Sequence, residues 1–139
     1  MTSGPAARPC GSCPYRRDVP SGVWAAEEYD KLPPYDQPTW AQPPAVFCCH
    51  QQDGRLCAGW VGCHDMQESL GLRIAAANEH LDPDAVDAAL DYVSPIALWE
   101  SGAAAAAHGR AEVETPSTRA RRTVEQLKRK RQVTRGVRR

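Results

Sequence analysis

Apolar positions along the chain follow two regimes. From residue 65 onward they recur at helical spacing. Leu70, Ile74, Ala77 and Leu81 succeed one another at intervals of four, three and four, which predicts an amphipathic helix. Asp82-Pro83 then supplies a cap and a proline at the first helical position, and Val86, Leu90 and Val93 form the expected apolar face of a second helix. Ser94-Pro95 repeats the start signal ahead of Ile96–Trp99, a third helix that stalls at Ser101-Gly102 before Ala103–Ala107. Thr115-Pro116 opens a fourth, from Ser117 to about Gln132, with Ala120, Val124, Leu127 and Arg131 on one narrow stripe.

The first half has no such period. Prolines at 14, 20, 33, 34, 38, 43 and 44 keep it largely irregular. Ser21 is expected to cap one short helix, Gly22–Leu32, which Pro33 and Pro34 end, and Trp40 is expected to lie as a lid over the core. Between Ala45 and Trp60, apolar residues flank Asp53-Gly54, the signature of a short β-hairpin. The expected fold class is mainly α with a small metal-stapled β-hairpin and an irregular, Pro-rich N-terminal half. The expected organisation is a metal-binding knuckle with a short helix and the hairpin over 1–66, a helical segment over 67–114 and a basic helix or tail over 115–139.

Composition sharpens this in two ways. Of 139 residues 42% are hydrophobic but only 6% aromatic, so the core is thin and needs a second source of stability. The net charge of zero conceals an asymmetry: residues 117–139 carry ten Lys/Arg against one acid, a net of +9, which leaves seven against sixteen, or −9, over residues 1–116. Arg121, Arg122, Lys128, Arg129, Lys130 and Arg131 form an electrostatic footprint suited to DNA or RNA, or to a protein partner carrying it. No aromatics interleave these cations, so sequence-specific reading through base stacking is not expected. No run of about 18 apolar residues is present, which excludes an ordinary membrane-spanning helix, and no membrane partner is expected. The first residues lack an apolar signal core, which argues for a cytoplasmic location. No Ser/His/Asp set, carboxylate pair or Gly-rich phosphate loop stands out, so no enzyme is expected. The enzymatic alternative is an open metal site with His50 or His64 beside a bound water.

The six cysteines, Cys10, Cys13, Cys48, Cys49, Cys57 and Cys63, carry the chemistry. A reducing cytosol argues against disulfides, and Cys10-Gly-Ser-Cys13 has no strand before it to make a thioredoxin-type site. As a metal clamp, the same Cys-x-x-Cys turn brings two thiolates onto one ion. The hairpin supplies the second pair: with a three-residue loop Cys49 faces Cys57, with a two-residue loop His50 faces it. Two plus two N/S ligands suit tetrahedral zinc or, alternatively, a [4Fe–4S] cluster. His64 is a second-choice ligand alongside His50. A structural zinc can contribute roughly 10–16 kcal/mol of apparent binding energy that is also folding energy. Arg16 and Arg17 follow the clamp, where they either offset thiolate charge or meet phosphate.

The run Pro9-Cys-Gly-Ser-Cys-Pro-Tyr-Arg-Arg-Asp18, then Phe47-Cys-Cys-His50, then Cys57-Ala-Gly-Trp60, resembles a domain-of-unknown-function family of small Cys-rich proteins found in phages and actinobacteria. The resemblance spans roughly Pro9 to Ala77 and implies no known activity. Carried over residue by residue, it implies a metal set of Cys10, Cys13, Cys49 and Cys57, with His50 close by. Ser21-Gly-Val-Trp24 is similar to the Gly-Val-Trp turn of the WhiB-like iron–sulfur regulators, although the cysteine spacing departs from theirs. The expected function is that of a small non-enzymatic, zinc-type accessory or regulatory protein whose basic tail contacts nucleic acid or a nucleic-acid-bound partner. The alternative is an iron–sulfur redox or oxygen sensor.

Overall fold

Two short helices form without a side-chain cap: α1, Ala26–Tyr29, and α2, Ala58–Cys63. The longer ones begin at capping side chains, which satisfy backbone N–H groups left over at a helix start. Ser69 accepts from Leu72 N–H at 3.2 Å and opens α3, Leu70–Ala77. Asp82 accepts from Ala85 N–H at 2.7 Å and, with Pro83, opens α4, Pro83–Asp91. Ser101 accepts from Ala104 N–H at 3.0 Å at the head of α5, Gly102–Arg110. At α6, Thr118–Val137, Ser117 fills this role for Ala120 N–H at 3.1 Å, one residue after the expected Thr115-Pro116 signal. Short 3₁₀ turns cover Pro33–Asp36, Thr39–Ala41 and Met66–Glu68. The structure is a computed structural model that describes residues 1–49, 51 and 54–137. No helix among the described residues is long and apolar enough to cross a membrane.

The expected metal-stapled β-hairpin does not form: the described residues contain no β-strand, and the fold is mainly helical. What remains is one antiparallel bridge, Cys48 to Leu56, flanked by hydrogen bonds from Cys49 N–H to Arg55 O (2.9 Å) and from Cys57 N–H to Phe47 O (2.8 Å). Two features keep it from growing. Cys57 is already the N-cap of α2, so the chain turns helical at once. On its other edge, residues 54–56 pair with Ser3, which takes Leu56 N–H at 3.0 Å and donates to Gly54 O at 2.6 Å.

Several local expectations shift for physical reasons. Ser21 does not cap a helix. It is buried, donates to Gly109 O at 3.0 Å and accepts from Glu112 N–H at 2.8 Å, tying the chain to the end of α5. Gly22 follows at φ +81° against Glu112 O, a conformation and a clearance that a side chain would not share. The residues before Trp99 are not helical; they lie along the 15–17 segment, with Arg17 N–H donating to Ala97 O (3.2 Å) and Trp99 N–H donating to Tyr15 O (2.9 Å). Trp40 is no lid but 84% exposed.

One core gathers side chains from both halves of the chain. Tyr15, Tyr29, Leu32, Leu56, Trp60 and Val61 are its largest fully buried members. Tyr15 meets Phe47 edge to face at 6.2 Å between ring centres, and Tyr35 meets Trp60 at 5.5 Å. On α3 and α4 small residues do the packing: Leu72, Ala75, Ala85 and Ala89 are buried, while Ala77, Leu90 and Val93 face solvent. A second, smaller cluster joins Val19 and Val23 to Ala120 and Leu127 of α6, with Trp24 and Val124 at its edge.

Candidate metal centre

The Cys10–Cys13 clamp is a tight turn closed by Cys13 N–H donating to Cys10 O at 3.0 Å. Arg16 braces it from outside. Its guanidinium donates to the carbonyls of Pro9 (3.2 Å) and Cys10 (3.4 Å) and grips the Asp18 carboxylate with two bonds, at 2.7 and 2.8 Å. From the other side, Cys57 arrives at the head of α2. Gly59 lets it come close, because a Cβ there would collide with the Cys13 sulfur and reach Tyr15 Cβ at 2.8 Å. The Cys13 and Cys57 sulfurs lie 4.0 Å apart, 1% and 3% exposed respectively. The edge of a tetrahedral zinc site with bonds of about 2.3 Å is about 3.8 Å.

Cys49 completes the group, although by a register that differs from both expected ones. Cys57 lies opposite Phe47 and Cys49 opposite Arg55, so the two cysteines are diagonal neighbours on one face of the bridge. Cys10, Cys49 and Cys57 line one small cavity with Ala6, Arg8, Leu56 and Ala58. Cys10 contacts both Cys13 and Cys49, so the sulfurs form a connected group: Cys49 to Cys10, Cys10 to Cys13, Cys13 to Cys57. Among the described residues no three donors already stand as a finished metal site; the sulfurs meet in pairs.

The paired sulfurs shift one another's ionisation. The Cys10 thiol is raised above its ordinary value by the hydrogen bond with Cys13, against the opposing contact with Cys49, and burial adds to the rise. For Cys13 the contact with Cys10 works downward, but the contact with Cys57, burial and charge on Cys57 outweigh it and push the thiol well up. Packed sulfurs disfavour one another's anionic form, and a bound cation removes that penalty by taking the thiolates as ligands. Four soft donors, two of them deeply buried, fit zinc or an iron–sulfur cluster.

The remaining candidates are elsewhere. Cys48 is exposed. Cys63 and His64 line a separate cleft of about 310 Å³ together with Asp36, Trp60 and Glu100. There the Cys63 thiol is pushed up to about 12 by burial and then by the charges of Asp36, Cys13 and Glu100. Both His64 ring nitrogens are engaged, Nδ1 with Trp60 O at 2.9 Å and Nε2 with Asp36 Oδ1 at 3.0 Å, so His64 is not brought to the sulfurs. His50 lies outside the described residues. Arg17 turns away from the clamp to Leu98 O, Glu100 and the face of Trp99.

Residues that carried no metal signal in the sequence hold the site in shape. Ser12, buried inside the clamp turn, accepts from Gln51 Nε2 through Oγ and from Trp24 Nε1 through its carbonyl, the latter at 2.9 Å. Tyr15 is fully buried beside Cys57, and its hydroxyl has no hydrogen-bond partner among the described residues. The Cys-Ala-Gly-Trp spacing was the available cue for the close approach at Gly59.

On α6, Arg121, Arg122, Lys128, Arg129, Lys130 and Arg131 are all exposed, while Ala120 and Leu127 are buried against the body. Fold and site together define a small helical protein with a group of cysteines at its front and a cationic helix at its end. A family model described as "Family of unknown function (DUF6283)" matches residues 5–131, and the chain belongs to that family. Comparison with curated proteins and with solved structures found no match.

Proposed function

We propose that this is a non-enzymatic metal-binding accessory or regulatory protein. A zinc ion held by Cys10, Cys13, Cys49 and Cys57 staples its front half, and the exposed face of α6 contacts nucleic acid or a nucleic-acid-bound partner. The observation that carries the metal reading is the chain of pairwise sulfur contacts that links the Cys10–Cys13 clamp to Cys49 and Cys57, with Cys13 and Cys57 at 4.0 Å. That spacing favours a single ion over a [4Fe–4S] cluster, whose thiolates sit on separate irons and stand further apart. In a static module of this kind the metal supplies folding energy, and Arg16 offsets the negative charge of the thiolates. The nucleic-acid reading is supported by six exposed cations on one helix with no aromatic among them.

Elemental analysis of the native protein, with a UV–visible spectrum, tests the centre. One zinc per chain and a colourless solution are expected, and Cys57→Ser should lose most of the zinc. A brown protein containing iron would replace zinc by the cluster. Absence of both metals would refute the centre.

A further inference from the structure

The sulfur clamp and the basic helix are not independent parts of the fold. Trp24 stands between them. Its indole Nε1 donates to the carbonyl of Ser12, the residue inside the Cys10–Cys13 turn, at 2.9 Å. Its ring packs on the main core on one side and, on the other, on the small cluster that seats Ala120, Val124 and Leu127 of α6. The Arg131 guanidinium lies 5.9 Å from the ring centre, within reach of a cation–π contact. A second connection runs parallel to the first. Arg16, bonded to the Pro9 and Cys10 carbonyls, holds Asp18, and the Asp18 carbonyl accepts from Arg119 of α6.

We infer that Trp24 is a positioning residue that makes the presentation of the basic helix depend on the state of the sulfur clamp. This rests on the reading that the clamp holds a metal and that α6 meets nucleic acid.

The physical basis is the contrast between what holds the two ends of this relay. The clamp turn is irregular backbone around Gly11 and two thiols, so an ion bound by its sulfurs also orders Ser12. α6 is a strongly polar helix whose described apolar hold on the body is a stripe of Ala120, Val124 and Leu127. A stripe that thin leaves the helix at the weakly held end of the stability range, where one supporting interaction decides how often it detaches. With the clamp ordered, Ser12 fixes Trp24, Trp24 completes the seat, and the cations of α6 are displayed on one rigid ridge. With the clamp loosened, Trp24 loses its hydrogen bond and α6 becomes a mobile tail, which must lose conformational freedom to bind.

Hydrogen exchange of α6 amides 120–127 in the full-length protein tests this, with zinc bound and after EDTA, alongside zinc content and binding to a short DNA duplex. Stripping zinc from the wild type should speed exchange in α6 by at least about tenfold, the loss of one ordinary hydrogen bond's worth of protection, and weaken duplex binding. Trp24→Phe keeps a ring under Arg131 but removes the indole N–H. It should retain one zinc per chain, exchange quickly in α6 whether or not zinc is present, and bind the duplex less tightly. Zinc that leaves without any change in α6, or a Trp24→Phe protein whose α6 still responds fully to zinc, overturns the coupling alone. A native protein without zinc overturns the metal reading and the coupling with it. Unchanged exchange in Trp24→Phe together with weak, zinc-independent duplex binding by the wild type overturns the nucleic-acid reading as well.

Discussion

The body and α6 bury apolar surface in very different ways. Around Trp60 the body encloses a core of aromatic and aliphatic side chains drawn from the clamp flank, α1, α2, α3, α4 and α5. Beneath α6 the buried residues among those described are Val19, Val23, Ala120 and Leu127. The acidic part of the chain, at −9, folds by enclosure, whereas α6, in the +9 end, is held along one edge with Arg121, Arg122, Lys128, Arg129, Lys130 and Arg131 left in solvent. Damage to the core should therefore unfold the whole chain, damage to the stripe should free α6 alone, and damage to the cations should alter neither fold nor docking.

Trp60→Ala gives the largest expected effect. Trp60 is 1% exposed, packs edge to face on Tyr35 and lies near His64. Truncating a buried tryptophan costs about 3–5 kcal/mol, a large share of the roughly 5–15 kcal/mol that stabilises a domain. Denaturant unfolding monitored by circular dichroism should show the whole transition shifted, α6 included. A variant that lost only the α6 signal would break the distinction between the two regions.

Leu127→Ala should act locally. Leu127 is 9% exposed and is the largest side chain that α6 buries among the described residues. Its truncation should cost about 2–3 kcal/mol, the lower part of the range for buried leucine, because the site lies at the edge of the body and can collapse or take in water. Limited trypsin digestion should then cut at Arg121, Arg122 and Arg129 faster than in the wild type, while the body's unfolding midpoint changes little. A body midpoint that fell as far as it does in Trp60→Ala would mean that the stripe is part of the main core.

The two regions were also unequally legible in the sequence. The α6 stripe of Ala120, Val124, Leu127 and Arg131 was visible because a long, polar helix has one way to bury its few apolar residues. Asp82-Pro83 likewise marked α4, since a cap is a local hydrogen bond that neighbouring residues suffice to write. The phase of α3 was not visible. Gly71 sits where a Cβ would strike the backbone of Ala45 and Val46, so that segment draws Gly71, Leu72 and Ala75 inward and leaves Ala77 outside, a meeting of residues some 25 positions apart. The hairpin was misread for a similar reason. Its outer edge is taken by Ser3, and its second arm becomes α2 at Ala58, neither of which the Asp53-Gly54 turn signal encodes. The Cys-x-x-Cys clamp and the resemblance pointed to Cys10, Cys13, Cys49 and Cys57, which the fold brings together as pairwise sulfur contacts rather than as one finished set of donors. Their diagonal register and the bond from Trp24 to Ser12 come from the tertiary fold, whereas Arg16 braces the clamp through carbonyls only six and seven residues away.

The smallest effect on the fold isolates charge from packing. Arg122 and Arg129 lie seven residues apart on the solvent side of α6, opposite Ala120, Val124 and Leu127, and both are exposed. Replacing both by glutamine keeps two good helix formers and leaves the stripe intact, so stability should change by no more than about 0.5 kcal/mol. Duplex binding should respond differently. Every phosphate that no longer meets a cation makes the slope of log K against log salt shallower by about 0.9, so the double variant should differ from the wild type by about 1.8, with the affinities converging at high salt. Fluorescence anisotropy of a labelled duplex across a salt series reads this directly. The slope is the decisive quantity, because a helix that merely loosened would bind more weakly while neutralising the same number of phosphates. An unchanged slope with weaker binding would attribute the effect to docking and remove these two arginines from the interface. An unchanged slope with unchanged affinity would leave α6 a solubilising end and move any nucleic-acid interface to another surface.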